Sequence, residues 1–115
     1  MLMSHLGRPS GNGFESDFSL APAAARLSEL LDRPVNLPSD DCLDDASRAA
    51  VASIGSGEVI LLENLRFHAA EKKGDVDFAA RLAVYGDVYC QDAFGAAHRA
   101  DASMVAVPQA MKGRP

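Results

Sequence analysis

The sequence has no tryptophan, only two cysteines, and aromatic residues at 6% of its 115 positions. The cysteines, Cys42 and Cys90, form no CxxC pair and carry no Cys/His ligand spacing, which argues against a zinc site. Two thiols in an intracellular protein is the preferred reading over a disulfide. Cations are scarce too. Eleven Lys and Arg face 16 Asp and Glu, for a formal net charge of -5. A chain without a broad basic face is not expected to bind nucleic acid, although a local cluster of cations around an anion remains open. No apolar stretch approaches the ~20 residues of a membrane span. Met1-Leu2-Met3 is far too short for the apolar region of a signal peptide. The expected location is the cytoplasm, with no membrane partner. Walker A and GxGxxG patterns are missing, so Gly11-Asn12-Gly13 and Gly55-Ser56-Gly57 read as turns. Ser, Cys and His form no nucleophile set, and no covalent mechanism is expected.

What is present is the composition of one globular domain, 48% hydrophobic and 23% charged. Met1-Leu2-Met3 reads as the last residues of a buried strand, shorter than the usual ~5–6. Residues 10–16 form a polar, glycine-rich loop. Ser19 offers an N-cap hydroxyl, and Pro22 falls in a first turn where its missing N–H costs nothing. Leu20, Ala24, Leu27, Leu30 and Leu31 repeat at helical spacing and predict a helix over 20–31. Val35 to Leu37 suits a short strand. Asp40, Asp41, Asp44 and Asp45 read as a solvated acidic loop with a helix cap; the pattern of an EF-hand is absent. A second helix is predicted over 46–54. Val59-Ile60-Leu61-Leu62 is a continuous apolar run, as in a parallel strand buried on both faces. Lys72-Lys73-Gly74 reads as a turn, Asp75 as the cap of a helix over 76–85, Val88-Tyr89-Cys90 as another buried strand, and Ser103 to Val107 as a further short strand. Lys112-Gly113-Arg114-Pro115 carries no ending signal. Strands alternating with helices predict βαβ units around a parallel sheet.

Three of these apolar runs are followed within a few residues by arginine and histidine. Met3 leads to His5 and Arg8, Leu62 to Arg66 and His68, and Cys90 to His98 and Arg99. Open parallel sheets bind ligands beyond the carboxyl ends of their strands. If the strands are parallel neighbours, the arginines converge on one edge. The planar guanidinium fork suits phosphate and carboxylate. Any one arginine alone is an ordinary surface charge; three at equivalent positions suggest an anion site.

The same segments resemble the phosphoglycerate kinase family. Ser-His-Leu-Gly-Arg-Pro at 4–9, Phe-Ser-Leu-Ala-Pro at 18–22, Leu-Leu-Glu-Asn-Leu-Arg-Phe at 61–67 and Asp-Ala-Phe-Gly-Ala-Ala-His-Arg-Ala at 92–100 are similar to family segments, in order and at family-like spacing. The resemblance implies a fold: α/β, a three-layer Rossmann-like domain with a parallel sheet, here truncated at both ends. It also implies that 1–115 is part of an N-terminal, 3-phosphoglycerate-binding domain, with the nucleotide-binding domain absent. The implied reaction is glycolytic phosphoryl transfer between 1,3-bisphosphoglycerate and ADP, giving 3-phosphoglycerate and ATP. Carried over by position, His5, Arg8, Arg66 and Arg99 contact the substrate's phosphate or carboxylate, and His98 belongs to the same basic patch. Mg-ATP or Mg-ADP is the partner of the parent enzyme, expected to be a monomer, and none is expected on this stretch, which is expected to be inactive alone. No metal ligand and no catalytic residue is assigned within it.

Departures from the resemblance bear on the site. The family's opening strand, with an Asp and an Asn for the substrate, and the arginine of the following segment have no counterpart here. Asp101 stands where the family has a further histidine; a carboxylate there would repel the substrate or tie up Arg99. Gln91, Ala96 and Ser10 replace the usual Asn, Thr and Lys. Two other readings stand beside the kinase: a non-catalytic anion-binding module, and a decayed remnant.

Overall fold

The computed structural model describes residues 1–113; Arg114 and Pro115, in the tail noted above, lie outside the described residues. The chain divides into two compact units, Met1–Phe67 and His68 onward. The sequence carries no linker signal at this boundary.

The first unit is α/β. Strand β1 (Val35–Asn36) pairs in parallel with β2 (Val59–Ile60), Val35 against Val59. The ladder extends by one parallel bridge, Leu2 to Leu61. Leu2 donates its N–H to Ile60 O at 2.7 Å, and Leu62 donates back to Leu2 O at 3.0 Å. The runs predicted at 1–3, 35–37 and 59–62 are therefore neighbours in one small parallel sheet.

Helix α1 (Ala21–Leu31) keeps Pro22 in its first turn and ends at Asp32 in the left-handed conformation. The N-cap is Leu20, with no side-chain cap bond, rather than Ser19; one residue earlier, Ser19 Oγ accepts from Ala21 N at 3.1 Å. The apolar stripe turns inward: Leu20, Ala24 and Leu61 form a buried cluster, with Val35 and Leu37 against it. Helix α2 (Asp45–Ala52) starts where the aspartates predict. Asp44 is its N-cap, accepting from Ser47 N at 2.8 Å. Asp41 accepts from Leu43 N at 2.7 Å. These bonds explain an acidic segment whose core is buried, Cys42 and Leu43 included.

The second unit is helical and differs more from expectation. Ala69–Lys73 is a short helix, α3, where the sequence suggested a turn. Its C-cap, Gly74, takes φ 66°. A Cβ at Gly74 would lie 2.7 Å from Ala100 O, so only glycine fits. Asp75 caps α4 (Val76–Ala83), accepting from Phe78 N at 2.8 Å. Phe78, Ala79, Leu82 and Ala83 form the buried face of α4, which packs on α5 (Ala106–Ala110).

Two strand expectations are corrected here. Residues 103–107 form no strand; they lead through turns into α5, started by Met104 N and Val105 N bonding Asp101 O at 3.0 and 3.2 Å. Val88-Tyr89-Cys90 is not a strand either. Val88 and Cys90 are exposed, and Tyr89 is tied down from its side chain, donating to Ser103 O at 2.6 Å. No disulfide joins Cys42, which is buried, to Cys90. Among the described residues, no helix is long and apolar enough to cross a membrane.

Candidate functional site

The segment 61–67 is wholly buried, although it contains Glu63, Asn64 and Arg66. Buried polar groups persist only when hydrogen-bonded, and each of these is. Glu63 sits at the start of α1. Its carboxylate accepts from Ser19 Oγ at 2.6 Å, Leu20 N at 2.7 Å and Asn64 N at 2.7 Å. A negative charge there complements the partial positive charge of a helix N-terminus.

Asn64 uses both ends of its amide. Nδ2 donates to Leu6 O at 2.8 Å and to Phe18 O at 2.9 Å. Oδ1 accepts from Arg66 N at 3.0 Å. Arg66 Nη1 in turn donates to Gly7 O at 2.9 Å, and Leu65 N donates to Ser4 O at 3.2 Å. These bonds fix the loop 4–9 on the segment that follows β2.

The loop turns at Gly7, whose φ is 63°. A Cβ at that position would stand 2.5 Å from the Phe18 ring. Within this frame Arg66 is buried, at 8% exposure; His5 is half-buried and Arg8 exposed. Two of the three expected strand endings thus lie side by side, with a fixed arginine on one and a solvent-facing arginine on the other.

The third ending belongs to the second unit. His98 is exposed on the loop after the short helical turn Phe94–Ala96. Arg99 is half-buried, and its Nε donates to Asp101 Oδ2 at 2.9 Å. Of the two consequences expected for Asp101, the ion pair with Arg99 is present. Asp101 is 8% exposed at its side chain while Arg99 keeps 37%. A buried carboxylate therefore holds one side of a guanidinium that still reaches solvent. A second buried carboxylate, Glu71, accepts from Ser103 N at 3.0 Å and from Ser103 Oγ. Burial, then the charges of Glu71 and Cys90, push the Tyr89 hydroxyl above its ordinary pKa.

Sequence reasoning marked Gly7 as a tight turn with close approach, as its φ and the nearby Phe18 ring bear out, but missed Glu63 and Asn64 as builders of this site. Glu63-Asn64 read as the end of a strand. The available signal was a polar pair set between the apolar run 59–62 and the apolar residues Leu65 and Phe67.

Three helix starts each bond one of the protein's own carboxylates: Glu63 at α1, Asp44 at α2 and Asp75 at α4. At each of the three a negative charge already stands near a position that commonly binds phosphate.

The architecture of parallel strands, covering helices and basic loops beyond the strand ends is that of an α/β, Rossmann-like protein. A family model described as phosphoglycerate kinase matches residues 1–114, and the chain belongs to that family. It is 58% identical over 115 residues to a phosphoglycerate kinase of Rhodopirellula baltica, covering 100% of this chain and 29% of that protein. A Chlamydia pneumoniae phosphoglycerate kinase is 50% identical over 116 residues, 99% of this chain and 29% of that one. Among solved structures, phosphoglycerate kinase from Coxiella burnetii superimposes with a TM-score of 0.74 at 37% identity, over 91% of this chain and 25% of that one. The chain thus spans little more than a quarter of the length of these relatives.

Proposed function

We propose that this chain supplies the glycerate-holding side of the phosphoglycerate kinase reaction, transfer of a phosphoryl group between 1,3-bisphosphoglycerate and ADP. The observation that carries the reading is Arg66: a buried guanidinium, oriented by the Gly7 carbonyl and held beside the loop that bears His5 and Arg8. On the first unit, Arg8 and Arg66, with His5 adding to the positive field, suit an anionic group of a small phosphorylated carboxylate; Arg99 and His98, carried by the second unit, are candidates on the same family resemblance. Such a site acts by positioning and by neutralising charge, since phosphoryl transfer asks little covalent chemistry of the protein. Fixing Arg66 before the ligand arrives lowers the cost of ordering it on binding.

Mg-nucleotide belongs, on this reading, to residues beyond these 115, and the chain alone transfers no phosphate. The whole enzyme is a cytoplasmic monomer with no nucleic-acid or membrane partner. The chain is -5 in formal charge, so its attraction for a small anion rests on the local arginines.

The test is an amide proton–nitrogen NMR titration of the purified chain with 3-phosphoglycerate. Dispersed peaks that shift near Arg8, Arg66 and Arg99 are expected. A folded spectrum indifferent to the ligand would overturn the reading. Arg66→Lys should weaken binding nearly as much as Arg66→Ala, roughly 10- to 100-fold, the worth of charge-assisted hydrogen bonds. A lysine cannot hold the Gly7 carbonyl and present a planar fork at once.

A further inference from the structure

The anion site described above is held together by a residue that touches no ligand on that reading. Asn64 is 1% exposed. Its amide reaches three separate stretches of backbone: the loop 4–9 through Leu6 O, the approach to α1 through Phe18 O, and the arginine segment through Arg66 N. An amide side chain has two N–H donors and one carbonyl acceptor, and all three functions are engaged here. No other ordinary side chain of this size presents two donors and an acceptor in one plane. Aspartate would set a carboxylate against two carbonyl oxygens; leucine would leave those oxygens and the Arg66 N–H without their partner.

We propose that Asn64 is a positioning residue that sets the spacing between Arg8 and Arg66, and so the length of dianion the site accepts. The inference rests on the anion-binding reading above. The geometry separates Asn64 from its neighbour Glu63. Glu63 secures the start of α1 through Ser19 and Leu20, whereas Asn64 is bonded to the residue two before Arg8 and to the backbone of Arg66. Loosening Glu63's contacts should affect stability; loosening Asn64's should affect where two arginines stand.

The readout is selectivity, which a merely structural role would not move. A ligand with anionic groups at both ends needs the arginines at a fixed separation; inorganic phosphate needs only one of them. Calorimetric affinities for 3-phosphoglycerate and for inorganic phosphate would be measured on the full chain, on Asn64→Ser and Asn64→Asp, and on Ser19→Ala as a control. Each would be compared at temperatures where its amide NMR spectrum remains dispersed.

For Asn64→Ser the expected result is a loss of about tenfold or more for 3-phosphoglycerate, the scale of losing buried hydrogen bonds, with inorganic phosphate nearly unchanged. Ser19→Ala should keep the wild-type ratio while lowering thermal stability. Equal losses for both ligands in Asn64→Ser, an unchanged ratio, or failure of both Asn64 variants to fold would each overturn the proposal and leave Asn64 a purely structural residue. Wild-type chain that binds neither ligand, or shows no preference for 3-phosphoglycerate, would instead overturn the anion-binding reading on which the inference depends.

Discussion

The guanidinium of Arg99 already holds a carboxylate, that of Asp101, at 2.9 Å. On the proposed function, an anionic ligand must compete with that carboxylate for the same donors. Asp101→Asn should therefore tighten 3-phosphoglycerate binding by a few-fold and make it fall more steeply with salt, because more uncompensated charge is left to be screened. A titration at two ionic strengths checks it, and a gain in affinity cannot be mistaken for damage to the fold. Gly7 gives the opposite kind of prediction. Its φ is 63°, and the Phe18 ring would stand 2.5 Å from any Cβ placed there, which leaves no room for a side chain. Gly7→Ala should cost at least about 1 kcal/mol, read from denaturant unfolding, with weaker ligand binding as Arg8 moves. At this scale the sequence marked the arginines and histidines as candidates because they recur just after apolar runs, but not that Arg66 is buried. Glu63 and Asn64 were not marked, since their value lies in backbone groups of Leu6, Phe18 and Leu20 that only the folded chain brings to them.

Among the elements, α2 depends on its acidic cap. Partial burial pushes the Asp44 carboxyl upward, but hydrogen bonds from Ser39, Ser47 and Ala46 outweigh it and hold the group below its ordinary range. A carboxyl lowered by folding stabilises the folded state above its unfolded pKa of about 4. That contribution is lost as pH falls through the lower, folded value. The wild-type chain should lose stability on acidification below about pH 4. Asp44→Asn, which keeps a capping oxygen, should lose less over the same range, and Asp44→Ala should cost about 1 kcal/mol at neutral pH. Thermal melts at several pH values read both. The helices were legible from Pro22 and the leucine spacing at α1, the acidic segment at α2 and the Asp75 cap at α4, while Ser19 is not the cap of α1. The strands at 88–90 and 103–107 were misread because short apolar runs have no period of their own. Tertiary bonds decide them, Tyr89 to Ser103 O in one case and the turn on Asp101 O in the other.

For the molecule as a whole, the division at Phe67 into two units was not visible in composition. The small parallel sheet was, because its three apolar runs stand apart from the polar loops between them. Among the described residues the sheet carries only β1, β2 and the bridge at Leu2, while Leu2, Leu30, Val84, Val88 and Phe94 lie at the surface, Phe94 at 85% exposure. Exposed apolar side chains and open sheet edges favour association. The isolated chain should be marginally stable or associate with rising concentration, as sedimentation would detect. A monomer with a sharp thermal transition above ~60 °C, the upper mesophile range, would contradict this. The pairing of Leu2 with Ile60 and Leu62 has a further consequence in time. Leu2 cannot pair until Ile60 and Leu62, some sixty positions later, have been synthesised. At ~5–20 residues per second, that is a delay of about 3–12 s. Through that interval the apolar run at 1–3 stays unpaired with the strand it joins, so the sheet closes late and across a long loop.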